Sequence, residues 1–311
     1  MTSCLVTGST GLLGSYMVDF LLRKGCRVYG IYRARPSRSD EERANLSLLE
    51  CDLHDSERLA TVVSEAKPDL VFHFGAQSFP ARSWADPAET LNTNVLGTLH
   101  LLEAIRASRQ TPAVLVVGSS AEYAESTTSE RVSEDSALLP TSPYGVSKLA
   151  AGLLAQMYAR TYGMRTVLVR PFMAVGPRKI GDACSDFARG IVAIERGERS
   201  HISVGNLDPI RDFLDVRDAI SAFWLVTQKG DTGEAYNVCS GTGHSMREVL
   251  ELFCSYGQKP IRTDEDRSRA RPGEPSSIVG DNSRLRSLGW EPVIPLKQTV
   301  ADILDYWRCQ P

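Results

Sequence analysis

A phenol and a primary amine four residues apart, Tyr144 and Lys148 in SPYGVSK, are the side chains of this sequence best placed to do chemistry. On a helix that spacing puts both on one face, a single turn apart. An ammonium beside a phenol stabilises the phenolate and draws its pKa down from about 10. A tyrosine tuned in this way exchanges a proton with a substrate hydroxyl or carbonyl. A bare Tyr-x-x-x-Lys is more often a packed ring beside a solvated amine. Here it accompanies a glycine loop of nucleotide-binding type and a polar strand end, and those remove the plainer reading. Ser120 closes the apolar run in VVGSSAEY, where it is expected to face Tyr144 and hydrogen-bond the same substrate oxygen. Glu122 lies two residues on, hence on the same side if the chain stays extended, and Ser119 then points the other way.

Such a site has to be carried by something rigid. SCLVT, RVYGIY, LVFHF and AVLVVGS read as buried parallel strands, LSLLE as a shorter one, and RTVLVRPF continues the sheet. Helical patterns fall between them at about 11–25, 55–66, 88–107 and 143–162. This alternation predicts an α/β fold: a Rossmann-type doubly wound parallel sheet with a smaller C-terminal α/β substrate lobe. Residues 1–171 form the dinucleotide-binding domain, with returning segments near 212–240, and 172–311 form mainly the substrate lobe. The change is marked by loops rich in Gly, Pro and charge, MAVGPRKIGD and DEDRSRARPGEP.

The first strand runs into TGSTGLLG, with Gly8, Gly11 and Gly14 on one spacing. Glycines there let the backbone turn and approach a pyrophosphate, which sits on the free N–H groups of the helix that follows. Thr10, Leu12 and Leu13 belong to the same cradle. The second strand ends in IYRARPSR, with Arg33, Arg35 and Arg38 and no acid before Asp40. Guanidinium groups suit a ribose 2′-phosphate by charge and fork geometry, so the cofactor is expected to be NADP(H). Asp52 and Leu53 fit the adenine edge, and Gly75 and Ala76 in FGAQS would line the dinucleotide. Ser78, at the end of that loop, is assigned to the substrate.

Composition narrows the partners. The 311 residues carry 35 basic and 38 acidic side chains, a net charge of −3, which argues against a nucleic-acid or membrane surface. The N-terminus MTSCLVTGST enters a strand at once, with no signal-like or membrane-spanning run, so a cytoplasmic protein is expected. Seven scattered cysteines without a C-x-x-C read as buried thiols in a reducing compartment. The five histidines make no zinc-like spacing, and no metal is expected.

TGSTGLLG, SSAEY and SPYGVSK together resemble the extended short-chain dehydrogenase/reductases that modify nucleotide sugars, over Leu5 to Trp307. The resemblance implies a catalytic triad of Ser120, Tyr144 and Lys148, with Lys148 also on the nicotinamide ribose. VGNLDPIRDFLDVRD and RPGEPSSIVGDNSRLRSLGWEP are similar to the GDP-mannose branch, which holds both 4,6-dehydratases and 4-keto-6-deoxymannose reductases. That similarity places Arg211 and Arg271 on a diphosphate, Glu274 on ribose or base, and Asn206 near guanine. The reductase, acting on a GDP-4-keto-6-deoxyhexose, is the favoured activity. The dehydratase, with Glu122 as acid/base, is the alternative, and a non-catalytic dinucleotide sensor a remote third. Where the branch usually has Phe-Asn-His after the sixth strand, this chain has Phe172, Met173 and Ala174. Met173 cannot replace the amide's hydrogen bonds. Either the sugar sits differently, or the substrate or activity is altered, or Met173 only packs. By analogy with the family, the helices at 88–107 and 143–162 pair two copies into at least a homodimer.

Overall fold

The structure, a computed structural model, describes residues 1–33, 43–124, 131–266 and 277–311. Arg35, Arg38, Asp40, Arg271 and Glu274 lie outside the described residues. The first half alternates strand and helix: β1 (Ser3–Thr7), α1 (Leu12–Arg23), β2 (Arg27–Tyr32), β3 (Leu46–Glu50), α2 (Ser56–Ala66) and β4 (Leu70–His73). Two short helices follow, α3 (Pro80–Ala85) and α4 (Pro87–Leu91), then α5 (Gly97–Ala107), β5 (Ala113–Val117), α6 (Pro143–Tyr162) and β6 (Thr166–Pro171). Beyond Pro171 come β7 (Met173–Val175), α7 (Ala183–Glu195), β8 (Ile202–Val204), β9 (Ile210–Asp215), α8 (Val216–Lys229) and β10 (Ala235–Val238). The chain finishes with β11 (Gly243–Ser245), α9 (Met246–Ser255), β12 (Thr263–Glu265), β13 (Ser277–Ile278), α10 (Ser283–Ser287) and α11 (Leu296–Arg308).

Seven strands form one parallel sheet in the order β10-β6-β5-β4-β1-β2-β3. Its strands are apolar on both sides because helices cover both faces. The pleat sorts them: Cys4 and Val6 of β1 face α1 and α8, while Leu5 faces α2 and α5. Strand order reverses between β1 and β4, which opens a crevice at the carboxyl ends of the strands. β10 is an edge strand of this sheet and α8 packs on its face, so the large layer draws residues from both sides of Pro171. Leu285 and Trp290 join the same core. The remaining segments build a second core around Phe187, Ile191, Phe213, Phe253 and Ile303, with β9 flanked by β7, β11 and β13.

The helix expected over 88–107 is interrupted by a π-helical turn, Asn92–Leu96. Asn94 explains the interruption. Its side chain bonds both the N–H and the carbonyl of Gln77, at 2.7 and 3.0 Å, and donates to Ser147 Oγ at 2.8 Å. That ties the loop after β4 to α6, and with it the two walls of the crevice.

Candidate active site

The crevice is a cleft of about 1520 Å³ running from the turn after β1, past α6, to the second lobe. Its first wall is the glycine loop. Gly8 turns the chain at φ +63°, and a Cβ on Gly14 would sit 2.0 Å from the Gly8 carbonyl oxygen. The loop and the first turn of α1 are therefore backbone against backbone. Gly11 precedes α1 with no side-chain cap, which leaves the helix's first N–H groups directed at the cleft. Thr10, Gly11, Leu12, Leu13, Gly75, Ala76 and Leu53 line the same space. Arg33 and Asp52 lie at its rim, Arg33 3.8 Å from Glu89 and Asp52 bonded to His54 at 2.9 Å. An anion-ready helix terminus with a basic residue beyond it fits a phosphorylated dinucleotide.

The middle of the cleft holds the reactive groups. Ser142 caps α6 by accepting the Gly145 N–H at 3.1 Å, and Pro143 opens its first turn. A Cβ on Gly145 would lie 2.3 Å from the Ala121 carbonyl oxygen, so α6 reaches the end of β5 only because glycine stands there. This close approach delivers Tyr144 to the hydroxyls that follow β5. Lys148, one turn on and buried, donates to the Val117 carbonyl at 3.0 Å.

Three expectations change here. The chain does not stay extended after Gly118: Ser120–Glu122 form a 3₁₀ turn capped by Ser119. Ser119 thus also faces the cleft, where its hydroxyl acts on the Tyr144 phenol, and it accepts the Ala121 N–H at 3.1 Å. Ser120 lines the cleft beside it. The same turn carries Glu122 inward, so it is absent from the cleft wall. It is fully buried, 2.8 Å from Arg170 Nε, and accepts the Ser119 N–H at 2.7 Å. Finally, Tyr144 is not drawn down by its lysine. Burial pushes the phenol up to about 12, the Ser119 hydroxyl opposing and the Glu122 charge assisting. Burial likewise pushes Lys148 down to about 8, against the pull of Glu122. Desolvation outweighs pairing because both charged forms lose water in the same narrow place.

The far limb belongs to the second lobe. Ser78, Met173, Asn206 and Arg211 all line it. Arg211 donates to the Ile210 carbonyl at 2.8 Å, and the Asn206 side chain accepts the Asp208 N–H at 3.0 Å. Met173 sits on β7, paired with Phe213, and Lys179 donates to the next carbonyl, Ala174, at 2.6 Å. Lys179, Thr93 and Arg189 also line the cleft and were not singled out from the sequence. Ser119, expected to point the other way, lines the cleft, and Arg170 was missed. Arg170 did leave a signal: a charge inside the apolar strand TVLVRP requires a buried acid nearby.

A parallel sheet that brings a glycine turn and a Tyr-x-x-x-Lys helix to one crevice is the arrangement of the extended short-chain dehydrogenase/reductases, and this chain is one of them. It belongs to the GDP-mannose 4,6 dehydratase family, whose sequence profile matches residues 5–303. It is 36% identical to the GDP-6-deoxy-D-mannose reductase of Pseudomonas aeruginosa, over 78% of this chain and 81% of that protein. A GDP-mannose 4,6-dehydratase of Vibrio cholerae is 29% identical, over 96% of this chain and 92% of that one. Among solved structures, RMD from Pseudomonas aeruginosa complexed with NADPH superposes with a TM-score of 0.85 at 31% identity, covering 99% of both chains.

Proposed function

We propose that this protein reduces the C4 keto group of a GDP-linked 4-keto-6-deoxyhexose with NADPH. The observation that carries the reading is the division of labour in the cleft. A protonated phenol, an ammonium and two hydroxyls line it, while the one carboxylate that elimination would need, Glu122, is held in the core by Arg170. Bound NADPH would supply the hydride, cradled by the Gly8–Gly14 loop, the N-terminus of α1 and Arg33. Tyr144 donates its proton to the alkoxide that develops at C4. A phenol near 12 keeps its proton at neutral pH and is still a far stronger acid than the alcohol it forms. Ser119 and Ser120 supply hydroxyls to the same oxygen, and Lys148 holds positive charge beside it. Asn206 and Arg211 would hold the nucleotide diphosphate end, together with Arg271 and Glu274.

The relatives named as dehydratases favour a second reading, a 4,6-dehydratase using Glu122. The two readings separate on cofactor balance. Offered the 4-keto-6-deoxy sugar nucleotide, the purified protein should oxidise one NADPH per sugar. Water loss from GDP-mannose without net NADPH oxidation would establish the dehydratase instead. Replacing NADPH by NADH tests the role given to Arg33, and equal turnover with both would refute it.

A homodimer is also part of the proposal. Leu91 and Leu96 beside α5, and Val146 and Leu153 one stripe apart on α6, are exposed apolar residues. Sedimentation of the wild type against Leu153→Asp tests it, with a monomer expected only for the variant. No helix among the described residues is long and apolar enough to cross a membrane. We assign the protein to the cytoplasm because all seven cysteines are unpaired; cell fractionation checks this.

A further inference from the structure

Behind the cleft wall, Glu122 and Arg170 form an ion pair whose side chains are 0% and 5% exposed. Arg170 is clamped from its other arm: Nη1 donates to the Tyr123 hydroxyl at 3.1 Å and to the Glu134 carbonyl at 3.4 Å. Tyr123 donates in turn to Asn237 Oδ1 at 2.6 Å, and the Asn237 N–H donates to Glu134 Oε1 at 2.7 Å. The guanidinium thus has one orientation, and so does the carboxylate it holds. The second oxygen of that carboxylate accepts the N–H of Ser119, which lines the cleft with Tyr144 and whose hydroxyl acts on the phenol. An unbroken chain of hydrogen bonds runs from β10 and β6 to Ser119 at the cleft wall. An ion pair this deep is a poor means of stabilising a core, since an apolar pair of similar volume is often as stable or more so.

We propose that Glu122 and Arg170 act as a positioning unit for the proton-donating end of the cleft, Arg170 locking the carboxylate inward and Glu122 setting Ser119 against the Tyr144 hydroxyl. The proposal rests on the reading of the site as a carbonyl-reducing one and adds to it. With both oxygens committed, the carboxylate is closed off from the substrate, which favours reduction over elimination. Its charge also acts at a distance. It opposes proton loss from both Tyr144 and Lys148, the forms in which reduction needs them. The other titratable groups facing this cluster are His73 from β4, Tyr123 after the 3₁₀ turn, Glu134 and Arg170 itself. Glutamine cannot substitute fully. Only an ionised carboxylate accepts from Arg170 and Ser119 at once, whereas an amide turns a donor toward one of them.

The test compares wild type, Ser119→Ala, the pair variant Glu122→Met/Arg170→Met, and the combination of all three changes. In the pair variant, kcat should fall roughly tenfold or more, with KM for NADPH and for the sugar nucleotide within about twofold of wild type. Adding Ser119→Ala should cost little further, because both changes remove the same contact. A crystal structure of the pair variant should place the Ser119 hydroxyl out of reach of Tyr144. Wild-type kcat in a folded pair variant, losses that multiply with Ser119→Ala, or an unmoved Ser119 would each overturn the proposal. If the pair variant fails to fold, Glu122→Gln serves in its place. Its high-pH limit of activity should move to lower pH, and an unmoved limit refutes the proposal. If wild type does not consume NADPH with the keto sugar, the functional reading falls, and the crystal geometry of the variant alone judges the positioning unit.

Discussion

Replacing Lys148 by methionine should make the protein more stable and abolish its activity. The side chain is 7% exposed and its ammonium has been stripped of most of its water. That cost is what lowers its pKa from 10.5 to about 8. The drop corresponds to about 3 kcal/mol against the charged form. Below pH 8 the amine is protonated both folded and unfolded, so the whole penalty acts at pH 7. Between about 8 and 10.5 the unfolded chain holds the extra proton, and wild-type stability rises with pH by linkage. Methionine removes the charge but leaves the Val117 carbonyl without its donor, a loss of about 1–2 kcal/mol. The net gain is about 1–2 kcal/mol at pH 7, or roughly 1.5–3 °C in Tm for a chain of this size. Thermal melts of both proteins without cofactor, at pH 7 and pH 9.5, provide the assay. The Lys148→Met advantage should be present at pH 7 and shrink at the higher pH. Turnover should meanwhile drop at least about 100-fold. A variant that melts lower than wild type at pH 7, or whose advantage grows with pH, would refute the argument that desolvation dominates at this site.

Three further outcomes are expected. Tyr144→Phe should lower kcat by about 10²–10⁴-fold, with NADPH affinity measured by fluorescence titration nearly unchanged, since the hydroxyl serves the substrate oxygen. Ser119→Ala should lower kcat more than Ser120→Ala does, because Ser119 is the hydroxyl that opposes the rise of the Tyr144 pKa; the reverse order in steady-state kinetics would give the larger role to Ser120. Gly14→Ala should weaken NADPH binding at least tenfold and destabilise the fold by about 2 kcal/mol or more, because its Cβ would meet the Gly8 carbonyl at 2.0 Å with backbone on both sides. Titration and denaturant melts check both parts.

Much of this architecture was legible because it rests on local patterns. Apolar β-branched runs such as VLVV and TVLVR declare strands covered on both faces, and the glycine spacing in TGSTGLLG declares a tight backbone approach. Tyr144 and Lys148 share a helix face wherever that helix packs. The inward turn of Glu122 was not legible, for a reason equally local but less visible. Nothing in GSSAEY announces that the chain coils at Ser120, and one 3₁₀ turn exchanges the direction of every side chain after it. The π-helical turn at Asn92–Leu96 was hidden likewise, since Asn94 disrupts the helix through partners 17 and 53 residues away.

Residue types and spacings are properties of a short stretch of chain, and they were enough to name the parallel sheet, the glycine turn after β1 and the shared helix face of Tyr144 and Lys148. Directions and protonation states are not local. Whether Glu122 meets a substrate or Arg170, and whether a phenol's pKa sits below 10 or near 12, depends on how much water remains around it. Water is excluded by segments distant in sequence, so those answers appear only once β6, α6 and the turn after β5 have closed on one another.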